Sequence, residues 1–383
     1  MGSRVAAIVL AAGYSSRMGQ FKPLLPLGKG TIAERVLDLF LESEVKDVRV
    51  VVGYRASELS PLLQKKGILC ITNEDFEEGM FSSVVAGLRS LEPNTRAFFV
   101  LPVDIPLVRP QTIASLLWSY EKGMGEIIHP CFQGQRGHPP LISGRFVEGI
   151  LSWNGEGGLQ SFLERHEHHT VDVAVADEFI LFDLDTPADY ERLLQKYERY
   201  ENPTPKECLA LMTEIFAVDK TVLDHCEAVA RVATRLGTAL NKAGCEMDLD
   251  LLFAGGLLHD LARSEPQHAT VAAQTLDDMG FPKVADVVSA HMDIVIYDED
   301  PIDEKEVLYL ADKLVQGHQV VPLESRFEKM MEQYAEDPSA LKAIELRFRN
   351  AFLIQQRLEA TTGKSLEKIL KKRPLDHSDD LFD

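Results

Sequence analysis

The stretch that most constrains the fold of this chain lies near its N-terminus, where a short apolar run leads into a loop of small residues. The run Val5–Leu10 has the length and composition of a strand buried on both faces of a parallel sheet. The loop after it contains Gly13 and Gly19, and its small side chains let backbone N–H groups approach an anion. Arg17 and Lys22 add positive charge at the same place. The stretch therefore predicts a phosphate-binding site at the end of a buried strand.

Two common phosphate-binding loops do not fit this spacing. A Walker A loop needs four residues between its glycines and then Lys-Ser/Thr, whereas five residues separate Gly13 from Gly19 here and Gln20 follows. The dinucleotide pattern Gly-x-Gly-x-x-Gly is also absent. The loop must therefore belong to another class.

The length and charge of the chain limit its class and its partners. A chain of 383 residues is long enough for two domains or more. The net charge of −20 argues against a nucleic-acid partner, because a phosphate backbone is repelled by an acidic protein. No apolar run approaches 18 residues and no signal peptide is visible, so we expect a cytoplasmic protein without a membrane partner. The five cysteines are scattered and form no Cys-x-x-Cys, which argues against a disulfide framework or a zinc ribbon.

The first half of the chain alternates short apolar segments with amphipathic ones. The candidate strands after the first are 48–52, 68–71 and 97–101, and the candidate helices are about 31–43, 56–65, 79–91 and 110–121. This alternation predicts a doubly wound α/β domain with a mostly parallel sheet. Ligands of such sheets bind beyond the carboxyl ends of the strands, where the glycine loop lies.

Acidic residues occur at two further points of this half. Asp104 follows the strand 97–101, and there it is either a Mg²⁺ ligand beside a bound phosphate or a cap for the helix that begins near Pro110. A second acidic run, 182–190, has Thr186 directly before a proline, which is typical of a helix N-terminus.

The glycine loop resembles the signature L-A-x-G-x-S-x-R-M-G-x-x-K of the MobA-like nucleotidyltransferases, which move a nucleoside monophosphate from an NTP to an acceptor phosphate. The resemblance implies a nucleotide-diphospho-sugar-transferase-like fold and makes Arg17, Lys22 and Asp104 catalytic. It implies Mg²⁺ bound by Asp104 and by an acid of the D-x-D-T-P-x-D-Y run, with Asp185 preferred to Asp183. The nucleotide-binding residues it implies are Leu10, Ala11, Ala12, Gly13, Ser15 and Ser16, with Gly79, Ser82 and Ser83 from the segment 73–83.

A third segment, Gly134–Pro140, is similar to the family's G-x-x-G-H-P segment near the acceptor. The resemblance implies that Gly137, His138 and Pro139 bind the acceptor, although a structural histidine in this turn fits the sequence equally well. The run 11–13, Ala-Ala-Gly, is similar to the cytidylyl branch, whereas guanylyl members have Ala-Gly-Gly. The substrates implied are CTP and the terminal phosphate of a molybdopterin-type cofactor, with a molybdoenzyme or its chaperone as a further partner. GTP, or another phosphorylated acceptor, is the alternative.

A composition change divides the chain. Pro203 and Pro205 end the alternating pattern, and beyond them apolar residues recur at helical spacing. We therefore predict a transferase domain over 1–198, a linker over 199–206, an all-α domain over 207–372 and an acidic tail over 373–383.

The helical half contains histidines and aspartates in a recognisable order. They resemble the HD metal-dependent phosphohydrolase superfamily and are His225, His259, Asp260, His268, His291 and Asp312. In the mononuclear pattern His268 and His291 are not ligands, whereas in the dinuclear pattern they are, and a catalytic Asp260 bridges two metals. Imidazole and carboxylate together suit Fe, Mn, Co, Ni or Zn. A regulatory module that binds a nucleotide without hydrolysis is the alternative.

Overall fold

The computed structural model describes residues 5–297 and 300–371. The chain divides into two compact units between Tyr200 and Glu201, and the predicted acidic tail lies outside the described residues. Among the helices in the described part of the chain, none has both the length and the apolar content needed to cross a bilayer.

A mixed sheet organises the first unit. The unit's strands are β1 (Val5–Ala11), β2 (Pro26–Leu27), β3 (Gly30–Thr31), β4 (Asp47–Val52), β5 (Leu69–Thr72), β6 (Ala97–Pro102), β7 (Ile127–Phe132), β8 (Gln135–Arg136), β9 (Leu141–Ser143) and β10 (Thr170–Ala174). β2 and β3 form a separate pair, and the others form the order β10-β7-β9-β6-β1-β4-β5, with β8 on β7. Four of these pairings are parallel, β1–β4, β1–β6, β4–β5 and β7–β10, so the predicted mostly parallel α/β sheet is confirmed.

The sequence pattern did not predict the antiparallel strand β9. It pairs antiparallel with both β6 and β7. Too few residues separate β7 from β9 for the crossover helix that a parallel connection requires, so the chain turns back through β8.

Helices cover the sheet, and the first four lie close to the predicted positions. They are α1 (Ile32–Glu42), α2 (Ala56–Gln64), α3 (Met80–Arg89), α4 (Pro110–Glu121), α5 (Val147–Leu151), α6 (Gly158–Glu164) and α7 (Pro187–Glu198). α1 and α7 begin with capping boxes, at Thr31 and Thr186, which satisfy N–H groups of the first turn. A Cβ on Gly87 in α3 would lie 2.5 Å from a methyl carbon of Ile8, so this glycine lets α3 pack closely on β1.

The second unit is helical, as predicted. Its elements are α8 (Pro205–Ala210) with a π-helical turn after it (Leu211–Ile215), α9 (Lys220–Lys242), α10 (Leu249–Leu258), α11 (His268–Asp278), α12 (Pro282–Ser289), α13 (Glu304–Lys313), β11 (Val315–Gln316), β12 (Gln319–Val320), α14 (Leu323–Gln333), α15 (Pro338–Thr362) and α16 (Leu366–Leu370).

Two features of this unit were not predicted from the sequence. The short helix α12 was not predicted, although Pro282 at its first position is a common helix start. The apolar pattern that continues past α13 forms strand β11 of a two-stranded ribbon, because Gly317 with φ of 61° turns the chain back.

Candidate functional site

The loops that carry the first predicted site meet at one edge of the sheet. β1 and β6 pair in parallel, so the chain leaves both strands at the same edge. The Val103 N–H donates to the Leu10 carbonyl at 3.0 Å, which joins the two loops. The Leu184 N–H donates to the Asp104 carbonyl at 2.9 Å and brings in the second acidic run. Three segments distant in sequence therefore form one site.

A cluster of charged side chains lies at this edge. Lys22 Nζ is 3.1 Å from Asp104 Oδ2 and 3.0 Å from Asp185 Oδ1. Arg17 Nη1 is 2.8 Å from Asp185 Oδ2. Lys22 is only 8% exposed, and its backbone N–H donates to Ser15 Oγ, whereas Arg17 is largely exposed. The structure thus brings together all four residues predicted to hold Mg²⁺ and the triphosphate.

Asp183 is the third carboxylate of this edge. Burial raises its pKa, and the neighbouring charge of Asp104 raises it further. A divalent cation would offset both effects, because it stabilises the charged form of a buried carboxylate and neutralises its neighbour. The residues present therefore fit the Mg²⁺ that the sequence implies.

The rest of the glycine loop divides into buried and exposed parts. The side chains of Leu10, Ala11 and Ala12 are buried, so only their backbone groups can contact a nucleotide. Gly13 and Ser16 are exposed. A Cβ at Gly13 would meet nothing within 4 Å, so the space above this residue is open.

The segment 73–83, which was predicted to bind the nucleotide, is held by one amide. The buried Asn73 donates from Nδ2 to Ser82 Oγ at 2.8 Å and to Ser83 Oγ at 3.0 Å. Gly79, with φ of +100°, adopts a backbone conformation that favours glycine. These contacts fix the segment at the start of α3.

The predicted acceptor segment also has a fixed backbone. The His138 N–H donates to the Ile180 carbonyl at 3.0 Å, and a Cβ on Gly137 would lie 2.5 Å from the same oxygen. Burial lowers the pKa of His138, whereas the negative charges of Asp183 and Asp104 raise it. The imidazole is therefore close enough to these carboxylates to interact with their charge. His138 Nδ1 is buried without a hydrogen-bond partner in the part of the chain that the structure describes. Pro139 is buried.

Sequence reasoning missed an aromatic cluster beside the glycine loop. The Tyr14 ring centroid is 5.1 Å from that of Tyr54 and 5.3 Å from that of Phe76. Both tyrosines are exposed. The available signal was an aromatic residue directly after each of two glycines, Gly13 and Gly53, that follow parallel strands.

The second predicted site is built from the ends of several helices. Among the described residues, the possible ligand atoms form two groups, and within each group they lie within 4.8 Å of one another. One group is His225, His259 and Asp260, and the other is Asp260, His268 and His291. Asp260 is shared. Its Oδ2 lies 3.6 Å from His259 Nε2, and its Oδ1 lies 3.3 Å from His268 Nε2 and 3.6 Å from His291 Nε2.

Three imidazoles are oriented by the backbone. Nδ1 of His225, His259 and His291 lies 2.7–2.8 Å from a backbone carbonyl oxygen, which can only accept. Each Nδ1 therefore carries the proton and each Nε2 lone pair faces the cluster. His259 Nε2 is buried without a hydrogen-bond partner among the described residues. Such an orphaned acceptor between carboxylates fits a metal ion.

The ionisation of the cluster also suits a metal. Burial lowers the pKa of His259 to about 4, so its imidazole is neutral at pH 7. Although burial opposes ionisation of Asp312, the neighbouring positive charges, first that of Lys313 and then that of Arg326, hold its pKa well below the usual range. Asp312 Oδ1 lies 3.3 Å from His225 Nε2, so this carboxylate adjoins the first group. Neutral imidazoles and ionised carboxylates are the forms that bind metals.

A cavity of about 330 Å³ opens onto this cluster. Three predicted metal ligands line it, His225, Asp260 and Asp312, together with four cationic side chains, Arg263, Lys313, Arg326 and Arg347. An apolar wall is formed by Val222, Met292, Val315, Phe327 and Met330. The site can therefore accept an anionic group beside the metal ligands and an apolar group beyond it.

Comparison with known proteins finds a family match in each half of the chain. Residues 7–171 match the family model of the MobA-like NTP transferase domain, and residues 222–316 match that of the HD domain. The molybdenum cofactor cytidylyltransferase of Escherichia coli (strain K12) is 30% identical over 196 residues, which cover 51% of this chain and 98% of that protein. The nicotine blue oxidoreductase of Paenarthrobacter nicotinovorans is 28% identical over 198 residues, 50% of this chain and 96% of that protein.

The crystal structure of Rv0371c from Mycobacterium tuberculosis H37Rv is also similar, with a TM-score of 0.47 and 26% identity over 51% of this chain and 99% of that chain. The E. coli enzyme is 30% identical to this chain and is matched over nearly its whole length.

This chain therefore belongs to the MobA-like NTP transferase family and carries, after its transferase domain, an HD domain with a His/Asp cluster able to hold metal.

Proposed function

We propose that the transferase domain moves CMP from CTP to the terminal phosphate of a molybdopterin-type cofactor and releases pyrophosphate. The observation that carries the proposal is the contact of Lys22 with both Asp104 and Asp185 beside the open glycine loop. The choice of CTP and of this acceptor is supported by the 30% identity to the E. coli cytidylyltransferase. We place the reaction in the cytoplasm, with a molybdoenzyme or its chaperone as recipient of the product.

The chain's own residues supply the positioning. Asp104 and Asp185 are the residues that would hold Mg²⁺, which when bound neutralises phosphate charge. Backbone N–H groups of the loop, with Arg17 and Lys22, bind the triphosphate and offset the charge that develops on the leaving pyrophosphate. An oxygen of the acceptor phosphate forms a bond to the α-phosphorus as the bond to the β-phosphate bridge breaks. Gly137, His138 and Pro139 form the acceptor side, close to the carboxylates.

We also propose that the HD domain is a metal-dependent phosphohydrolase with two metal ions, for which Asp260 would be the shared ligand. Both oxygens of this carboxylate face imidazole nitrogens, and the orphaned His259 Nε2 lies at the same centre. The imidazole and carboxylate donors suit Fe, Mn, Co, Ni or Zn. Bound metal supplies a hydroxide nucleophile near pH 7 and polarises phosphoryl oxygens.

A different acceptor is the second candidate function for the transferase domain. A relative described as an oxidoreductase is 28% identical over almost its whole length, so proteins this similar carry descriptions of more than one activity. Another phosphorylated small molecule, or GTP as the donor, is therefore the alternative. For the HD domain the alternative is a nucleotide-sensing module that controls transfer without hydrolysis.

Pyrophosphate release tests the transferase proposal. The purified chain is incubated with Mg²⁺, molybdenum cofactor and each NTP in turn, with Asp104→Asn as the inactive control. We expect release with CTP only, and only when the cofactor is present. Pyrophosphate release with GTP alone indicates guanylyl transfer instead. If none of the NTPs gives pyrophosphate, the proposal is overturned.

Metal analysis and a phosphatase screen test the HD proposal. We expect the wild-type protein to contain transition metal and to cleave phosphoesters, and Asp260→Ala to lose both properties. A metal-free wild-type protein that binds nucleotides but cleaves none supports the sensing module instead.

A further inference from the structure

The cavity beside the His/Asp cluster is completed by residues beyond the HD family match. The match ends at residue 316, yet Arg326, Phe327 and Met330 of α14 and Arg347 of α15 line the cavity. The position of α14 in the cavity wall suggests a role in binding.

Arg326 is held in place by the backbone around the metal ligands. Its Nη1 donates to the carbonyl oxygens of Asp312 and Val315. Its Nη2 lies 3.9 Å from Asp312 Oδ1, beyond hydrogen-bond distance, and the side chain is 20% exposed. The guanidinium is therefore fixed next to a metal ligand with N–H groups that can still donate to an anion.

The other cations of the cavity have closer carboxylate partners. Lys313 Nζ lies 2.6 Å from Asp312 Oδ2, and Arg347 pairs with both oxygens of Asp293 at 2.9 and 3.1 Å. Arg263 Nη1 contacts both oxygens of Asp260 at 3.2–3.3 Å. Arg326 is thus the cavity cation whose charge is least neutralised by a carboxylate in direct contact.

The apolar wall limits the size and chemistry of the occupant. Phe327 is buried, and Met292 and Met330 are half-buried with flexible side chains that adapt to an apolar surface. The cavity volume of about 330 Å³ is at the lower end of the range for small-molecule sites, about 300–1,000 Å³. A single ring or a short alkyl group suits this space better than a dinucleotide.

We propose that α14 is the substrate-binding element of the HD domain and that its substrate is a compact phosphomonoester with an apolar leaving group. Arg326 binds phosphoryl oxygens, and Met292, Phe327 and Met330 contact the leaving group. A water oxygen forms a bond to phosphorus, the ester P–O bond breaks, and the alcohol leaves with a proton from that water, so that inorganic phosphate remains. This inference rests on the proposed phosphohydrolase function.

Calorimetric titration with two probes tests the proposal without turnover. Inorganic phosphate reports on the anion site, and phenylphosphonate, which lacks an ester bond, reports on the anion site and the apolar wall together. The full-length, metal-loaded chain is compared with Arg326→Gln, Met330→Gln and Lys329→Gln, the last an exposed lysine of the same helix as a matched control. The Asp260→Ala protein, titrated in parallel, gives the signal from phosphate bound elsewhere on the chain.

We expect Arg326→Gln to weaken both probes about 10- to 100-fold, the range for hydrogen bonds to charged groups. We expect Met330→Gln to weaken phenylphosphonate about 5- to 10-fold but to leave inorganic phosphate unchanged, and Lys329→Gln to match wild type. Metal content is measured for each variant. If Arg326→Gln fails to fold, the Met330→Gln selectivity carries the test.

The outcomes separate this inference from the proposed function. If wild type hydrolyses phenyl phosphate and the variants bind both probes as wild type does, α14 is not the binding element although the hydrolase function stands. If wild type binds both probes with the expected variant pattern but hydrolyses no phosphomonoester, the hydrolase function fails and the binding element stands. If wild type binds neither probe, the inference is overturned.

Discussion

Replacing Lys22 by methionine perturbs the centre of the transferase site most directly. Methionine keeps much of the apolar stem but removes the ammonium that lies 3.1 Å from Asp104 Oδ2 and 3.0 Å from Asp185 Oδ1. At these distances two unit charges attract by about 5 kcal/mol for an effective dielectric constant of about 20, before the cost of desolvation. Lys22 is nearly buried, but the side chains of Asp104 and Asp185 are 26% and 31% exposed, so solvent screens part of this interaction.

The substitution has two expected effects of opposite sign. Nucleotidyl transfer falls by about 10²–10³, the usual cost of removing one group that stabilises transition-state charge. The affinity for a divalent cation without nucleotide rises about 5- to 150-fold, the usual range of coupling between sites, because two carboxylates lose their counter-ion.

Electron paramagnetic resonance with Mn²⁺ measures the second effect directly. All proteins carry Asp260→Ala, so that manganese at the HD centre does not contribute. Lys29→Met, an exposed lysine in the turn between β2 and β3, is the matched control. If Lys22→Met binds Mn²⁺ no better than this control and releases pyrophosphate at the wild-type rate, the role assigned to the ammonium is wrong.

Three further substitutions test other parts of the account. Hydrogen bonds, first that from the Thr186 hydroxyl, lower the pKa of Asp189 from 3.8 to about 2, so the stability that this carboxylate contributes is present above pH 3.8 and is lost as the pH falls toward 2. We therefore expect Asp189→Ala to lose about 2 kcal/mol of unfolding free energy at pH 7 and about half of that at pH 3. An equal loss at both pH values in urea titrations contradicts this. Asp260→Ala removes the ligand that both groups of the His/Asp cluster share, so we expect metal analysis to find no metal bound at either group. This loss of metal affinity exceeds the roughly 10- to 100-fold loss that follows when only a ligand's hydrogen-bond partner is removed. A Cβ on Gly256 would lie 2.4 Å from a backbone carbon of α9, so Gly256→Ala costs about 1–3 kcal/mol in thermal unfolding of the second unit, whereas Gly255→Ala, whose nearest contact is a side chain at 3.3 Å, costs less.

The sequence predicted a set of residues for the transferase site but not the contacts between them. Parallel strands bring their carboxyl ends to one edge, so the approach of Asp104 to the glycine loop follows from the strand pattern. The contact of Lys22 with both Asp104 and Asp185 could not be predicted, because it depends on side-chain directions set by tertiary packing. The same holds for Asp183, whose raised pKa depends on its burial near Asp104.

In the second unit, the order of histidines and aspartates predicted the cluster, because most of these residues lie on or next to helices with a clear apolar pattern. His291 is the exception, since it follows the unpredicted helix α12. The sharing of Asp260 between two groups is a tertiary feature. The cavity wall from α14 was also hidden, since an amphipathic pattern identifies an apolar face but not its partner. α12 and the β11–β12 ribbon are too short for periodicity to identify them.

The central claim is that the carboxylates now bridged by Lys22 hold the metal of a bound triphosphate. A crystal of the protein soaked with Mn²⁺ and a non-hydrolysable CTP analogue tests this most directly. The account predicts an anomalous manganese peak bonded to oxygens of Asp104 and Asp185, with the triphosphate on the Gly13–Gly19 loop and Lys22 Nζ moved onto a phosphate. Manganese bound away from these carboxylates, with Lys22 still between them while nucleotide is bound, contradicts it.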